Sequence, residues 1–158
     1  YFGGFKYTHG TPFRRAIEEN LIDPKKYIVL GIRGSLYDPN DLSWAKKQGI
    51  TVITIDEYYD MGFEKCIEKI YSILENTETY FSFDIDGIDP TFAPGTGTPE
   101  IGGFTSREAQ LIIRAVKKLN FVGGDVVEVS PPFDVNNLTS HVAATMAFEM
   151  LCTMTKTN

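Results

Sequence analysis

The sequence is poor in the residues and patterns that mark several classes of protein. Its 158 residues include only two cysteines, Cys66 and Cys152, in separate helix-like stretches. They form neither a CxxC redox pair nor a zinc cluster, and we interpret both as reduced, buried packing residues of a cytoplasmic protein. No apolar run reaches the roughly 18 residues of a membrane-spanning helix. The first residues also lack the basic start and apolar middle of a signal peptide.

An excess of basic residues is missing as well. Fifteen Lys and Arg stand against 21 Asp and Glu, which gives a net charge of −6. Nucleic acid is therefore not expected as a partner, because phosphate binding needs a basic surface. The contents of hydrophobic residues, 42%, and charged residues, 23%, are ordinary for a globular domain and argue against disorder.

The apolar residues that are present predict an α/β protein with a mainly parallel sheet. Apolar residues recur at three and four positions between Phe63 and Leu74, as on one face of a helix. Thr105 and Glu108 predict a capping box at the start of another helix. The segment from Thr139 is apolar nearly all round and predicts a buried terminal helix. Strands are predicted at four short apolar runs, residues 27–32, 50–55, 80–85 and 121–129.

Two loops have an unusual composition. Residues 84–104 are rich in Asp, Pro and Gly, and residues 130–137 follow the last apolar run. In open α/β sheets a ligand binds beyond the carboxyl ends of the strands, so functional residues are expected in these loops. Asp89, before a proline, is interpreted as a turn former, and residues 94–99 as a rigid loop whose backbone can approach a ligand.

Asp84 and Asp86 are the first candidates for a functional site. They are one residue apart at the end of a predicted strand, so the period of two places both carboxylates on one face. Such close like charges repel unless a cation lies between them, and manganese or magnesium prefers oxygen ligands of this kind. The alternative is that one aspartate caps the loop and the other is solvated.

Glu128 and the two histidines are the other candidates. An isolated carboxylate in an apolar strand must be paired, protonated or directed at a cation, and a cationic group of a ligand would suit Glu128. His9, in a turn-like segment, is suited to relaying protons near neutral pH, or it is an exposed loop residue without a role. His141 is interpreted as a packing or capping residue at a helix end.

Three segments then resemble a known family. They are YTHGTPFRRAIEENLID at 7–23, SFDIDGIDPTFAPGTGTPEIGGFT at 82–105 and GGDVVEVSPPFD at 123–134. In order and approximate spacing they resemble the carboxy-terminal half of the ureohydrolases, the arginase and agmatinase family. The resemblance implies a three-layer α-β-α fold with a mainly parallel sheet and a homo-oligomer. It also implies two Mn²⁺ ions bridged by hydroxide, with Ni²⁺ as another choice, and hydrolysis of a guanidino compound to urea and an amine.

The resemblance assigns a role to each candidate residue. Asp84 matches the carboxylate that bridges both metals, and Asp86 matches a ligand of the second metal. Glu128 matches the glutamate that engages the substrate guanidinium. His9 matches the histidine that contacts the substrate and transfers a proton to the leaving amine. Gly87 favours a guanidinobutyrase-type guanidino acid hydrolase over bacterial agmatinases, which have cysteine there, although agmatine stays open as a substrate.

The sequence departs from the family in one respect. The family's GGDHS-like and DAHxD segments, which carry further metal ligands, do not occur in it. Residues 1–158 are therefore interpreted as the carboxy-terminal part of a single ureohydrolase domain that lacks its amino-terminal strands. We expect this chain to be inactive alone.

Two other functions remain open at this point. Haloacid-dehalogenase-type phosphatases also have a DxDG motif at a strand end, with an aspartyl nucleophile that Asp84 would supply, and the segment 124–128 imitates a later element of that family. The chain could alternatively be a ureohydrolase-like binding subunit that has lost its metals.

Overall fold

A computed structural model describes residues 4–36 and 38–155 of the protein. This part of the chain contains four strands, β1 (Ile28–Ile32), β2 (Thr51–Thr54), β3 (Glu78–Asp84) and β4 (Asn120–Val127). It also contains six α-helices, α1 (Pro12–Glu18), α2 (Ser43–Gln48), α3 (Ile55–Met61), α4 (Phe63–Leu74), α5 (Ser106–Ala115) and α6 (Leu138–Met154).

The strands pair in parallel, as the sequence predicted. β1 pairs with β2 and β3 pairs with β4, so the described residues form two two-stranded parallel sheets. All four apolar runs that predicted strands contain one, with ends shifted by a few residues. Each pair is joined through helices, because parallel strands need a long crossover connection.

The helices form where local signals predicted them. α4 covers the predicted residues and buries Cys66, Ile70 and Leu74. At the start of α5, the Thr105 side chain accepts a hydrogen bond from the Glu108 amide, and the Glu108 carboxylate accepts one from the Thr105 amide. This confirms the predicted capping box, which satisfies amides that lack partners within the helix.

Two apolar clusters hold these elements together. The first contains buried residues of β2, α3, α4 and α5, with Ile53 fully buried. The second joins α5 and α6 beneath β3 and β4, with Ile85, Ile113 and Met146 buried. The second cluster lies directly below the carboxyl end of β3 and gives that end a rigid base.

The terminal helix corrects two predictions. α6 was expected to be buried nearly all round, yet Phe148 is 65% exposed and Leu151 is similarly accessible. The helix packs on α5 and β4, so only the face with Thr139, Ala143, Met146 and Met150 is covered. Cys152 lies outside that face and is exposed, so its predicted burial is wrong, whereas Cys66 is buried as predicted and burial raises the pKa of its thiol.

His141 also differs from its prediction. Its side chain is exposed on α6 instead of packing at the helix end, because it lies on the uncovered side of the helix. Within residues 4–36 and 38–155, no helix has both the length and the apolar character to span a membrane.

Candidate active site

Asp84 and Asp86 lie at the carboxyl end of β3, above the second apolar cluster. Asp84 is the last residue of the strand, and a 3₁₀ turn follows at Ile85–Gly87. Oδ1 of Asp84 accepts a hydrogen bond from the Asp86 amide at 3.2 Å. The two aspartates are thus neighbours, but Asp86 belongs to a turn, so the predicted period-two geometry of a strand does not apply to it.

The electrostatics of Asp84 set it apart. Its carboxyl group keeps contact with solvent, yet surrounding protein atoms remove part of its hydration. This desolvation, with the charges of Asp86 and Glu128, raises the pKa of Asp84 to about 7. Three carboxylates therefore lie close enough to repel one another, and a bound cation would relieve that repulsion.

Two side chains that sequence reasoning missed hold Asp86. The Thr98 hydroxyl donates to the Asp86 carboxylate at 2.6 Å. Nη2 of Arg33, just beyond β1, donates to the main-chain carbonyls of Asp86 and Glu100, both at 2.6 Å. The position of Arg33 at the carboxyl end of a strand was a usable signal, whereas its contact with a residue 53 positions away was not.

Asp89 closes the base of the loop, in agreement with its predicted turn. Its carboxylate accepts hydrogen bonds from the amides of Thr91, Gly102 and Gly103 and from the Thr91 hydroxyl. These bonds, the one from the Thr91 hydroxyl first, lower the pKa of Asp89 to about 2. A Cβ at Gly103 would lie 2.7 Å from the Asp89 amide and 2.8 Å from Nη2 of Arg33, so only glycine fits between them.

Glu128 and His9 meet on the other side of Asp84. Glu128 is the first residue after β4 and has a φ of +64°, which a residue with a side chain rarely adopts. Its Oε1 lies 3.7 Å from Nδ1 of His9, an ion pair when the imidazole is protonated. The structure thus brings together all four predicted site residues, although His9 itself is 61% exposed.

The donor set is suited to a divalent cation in part. Asp84 and Asp86 offer hard oxygen ligands, and the raised pKa of Asp84 shows unrelieved negative charge. Within the described residues, however, no group of three or more His, Cys, Asp or Glu side chains is arranged to hold a metal ion. The pair therefore fits as part of a ligand set whose other members come from elsewhere.

Comparison with known proteins agrees with this chemistry. Residues 1–152 match the Arginase family. Guanidinopropionase of Pseudomonas aeruginosa is 55% identical over 152 residues, covering 96% of this chain and 48% of that protein. Guanidinobutyrase of the same organism is 44% identical over 151 residues, with 96% and 47% covered.

The solved structures give the same assignment. Proclavaminate amidino hydrolase from Streptomyces clavuligerus superposes with a TM-score of 0.90 at 43% identity, over 96% of this chain and 50% of that one. This confirms the predicted three-layer α/β fold. The chain spans about half the length of the curated relatives that it matches. On the extent of these matches, the chain belongs to the arginase family.

Proposed function

We propose that the protein carrying this chain hydrolyses the C–N bond of a guanidino acid and releases urea and an amine. The observation that carries the proposal is the junction of Glu128 and His9 beside the carboxylates of Asp84 and Asp86. The relatives named guanidinopropionase and guanidinobutyrase support a short guanidino acid as the substrate. Agmatine is the second candidate.

Asp84 and Asp86 would hold divalent metal, two Mn²⁺ ions or Ni²⁺ in their place, with further ligands from outside the described residues. When bound, such ions lower the pKa of a coordinated water so that it attacks at neutral pH. The chain's part is to fix the two carboxylates. Thr98 and Arg33 do so through the Asp86 carboxylate and the Asp86 carbonyl.

Glu128 is suited to binding the guanidinium group. A planar guanidinium donates two parallel hydrogen bonds to one carboxylate, which fixes its orientation as well as its position. The Glu128 side chain is 28% exposed, so its charge is less screened than that of a surface glutamate. Binding there would hold the central carbon of the substrate beside Asp84.

His9 is suited to handling the proton of the leaving amine. Its Nδ1 lies near Glu128, and its exposed ring has access to solvent from which it can be reprotonated. An imidazolium beside the bound guanidino group can donate a proton as the C–N bond breaks. Without this proton the amine would leave as a poor, anionic group.

Family membership gives the phosphatase alternative no support. The metal-free binding subunit is the remaining rival, and a homo-oligomer in the cytoplasm stays a prediction. The test uses the full-length protein loaded with Mn²⁺ and measures urea from guanidinopropionate, guanidinobutyrate and agmatine. We expect urea from a guanidino acid. Manganese binding without urea from any of the three would overturn the proposal, and failure to bind manganese would favour the binding subunit.

A further inference from the structure

Thr96 connects the loop after β3 to the segment after β4. It is only 3% exposed, and its hydroxyl donates to the main-chain carbonyl of Glu128 at 2.9 Å. Thr96 and Val129 also form an antiparallel bridge, and the Ser130 amide donates to the carbonyl of Gly95 at 2.8 Å. The loop and residues 128–130 are therefore joined at three successive points.

The residue held in this way has a strained backbone. Glu128, at a φ of +64°, carries a side chain in the left-handed region. Such conformations persist where the surrounding structure fixes them, and they concentrate at functional sites. The left-handed turn decides the direction in which the Glu128 side chain leaves the sheet. Its carboxylate then lies 3.7 Å from His9.

The loop that holds Glu128 is itself anchored to α6. The Gly95 amide donates to the hydroxyl of Thr139, a fully buried residue, at 2.7 Å. Asp134 accepts hydrogen bonds from the amides of Thr139 and Ser140, both at 2.8 Å. A Cβ on Gly95 would lie 2.7 Å from the Asp134 Cα, so the packing leaves no room for one. The base of Thr96 is thus rigid.

We infer that Thr96 is a positioning residue, whose hydroxyl holds the left-handed backbone of Glu128 and thereby directs the Glu128 carboxylate. The inference rests on the proposed function, because it takes Glu128 as the residue that binds the substrate guanidinium. Thr96 itself acts through the Glu128 carbonyl. Removing the hydroxyl frees that carbonyl and lets the segment relax towards an ordinary backbone conformation.

The test compares two substitutions in the full-length, manganese-loaded protein. Thr96→Val keeps the shape and removes the hydroxyl, while Thr96→Ser keeps the hydroxyl. Thr145→Val is the matched control, because the Thr145 hydroxyl also donates to a main-chain carbonyl, that of His141, on α6. The measurements are kcat and KM for the guanidino acid, hydrogen exchange of the Ser130 amide, and bound manganese.

We expect Thr96→Val to lower kcat/KM about tenfold or more and to speed exchange of the Ser130 amide by a similar factor, with bound manganese unchanged. Thr96→Ser should restore both, and Thr145→Val should alter neither. A Thr96→Val protein with kcat/KM and exchange within twofold of wild type would overturn the inference, as would Thr96→Ser failing to rescue. If the wild type released no urea, the proposed function would fail, and Ser130 exchange alone would still decide the role of Thr96.

Discussion

The two parallel sheets of this chain have the same construction and opposite endings. In the first sheet, β2 ends at Thr54, whose side chain and Glu57 form a capping box that starts α3 at once. In the second sheet, β3 ends at Asp84, and about twenty residues of loop follow before α5 begins. Every predicted site residue except His9 lies on or after the second pair of strands. The chemistry therefore comes from the connections and not from the sheets.

The first sheet contributes to the site through one side chain. Arg33 follows β1 and donates to the carbonyls of Asp86, Glu100 and Ile101 in the loop after β3. Guanidinium bonds to carbonyls brace the loop and leave the carboxylates available for a cation. The carboxyl end of β1 thus supports the loop that the carboxyl end of β3 presents.

The largest effect should separate the two strand ends. Asp84→Asn removes a charge at the end of β3, while Asp56→Asn removes one at the start of the helix after β2. We expect the first to lower urea release about a thousandfold or more and to strip at least one metal ion. The second should leave both unchanged. Elemental analysis that found full manganese in Asp84→Asn would remove Asp84 from the metal site.

The next effect should separate Glu128 from His9. Glu128→Gln keeps the shape but loses the charge that receives a guanidinium, so kcat/KM should fall on the order of a hundredfold, with a higher KM. His9→Ala should lower mainly kcat, because it slows proton delivery.

The second histidine provides the matched control for this pair. His141→Ala on α6 should leave turnover unchanged, since its side chain is exposed on the outer side of that helix. Steady-state kinetics with the guanidino acid distinguish the variants. Unaltered efficiency in Glu128→Gln would return Glu128 to a structural role.

A smaller effect should measure the brace from the first sheet. Arg33→Lys keeps the charge but loses the fork that reaches several carbonyls, so manganese affinity should weaken by about tenfold. Arg114→Lys is the control, because Arg114 pairs with Glu149 between α5 and α6. Calorimetric titration of metal-free protein gives both affinities. Equal affinities in Arg33→Lys and wild type would show that the loop holds its shape without Arg33.

The smallest effect should appear in acid. The pKa of Asp89 is lowered to about 2, so its carboxylate stabilises the folded loop above the unfolded pKa of about 4. That contribution is lost as the pH falls from about 4 through about 2. The difference in thermal stability between wild type and Asp89→Asn should therefore shrink over this range. A difference that stayed constant from pH 5 to pH 2 would contradict the assignment.

What the sequence could predict follows from the range of each interaction. The strands, α4 and the capping box of Thr105 depend on residues within a few positions, so periodicity and spacing identified them. The turn at Asp89 is local in the same way. The burial of α6 was overestimated, since hydrophobicity does not report which face a neighbour covers.

The site shows the same division. Asp84, Asp86, Glu128 and His9 were identified from residue type and from the family resemblance. The supports at Thr96 and Arg33 were not, because their partners lie 32 and 53 positions away. The left-handed backbone of Glu128 was also missed, because nothing in a Val-Glu-Val segment indicates it.

Anomalous diffraction at the manganese edge, from crystals of the full-length protein soaked with Mn²⁺ and a guanidino acid, tests the central claim most directly. The account predicts anomalous peaks within bonding distance of the carboxylates of Asp84 and Asp86. It also predicts the guanidinium of the ligand on Glu128. Manganese peaks remote from Asp84 and Asp86, or a guanidinium bound away from Glu128, would contradict it.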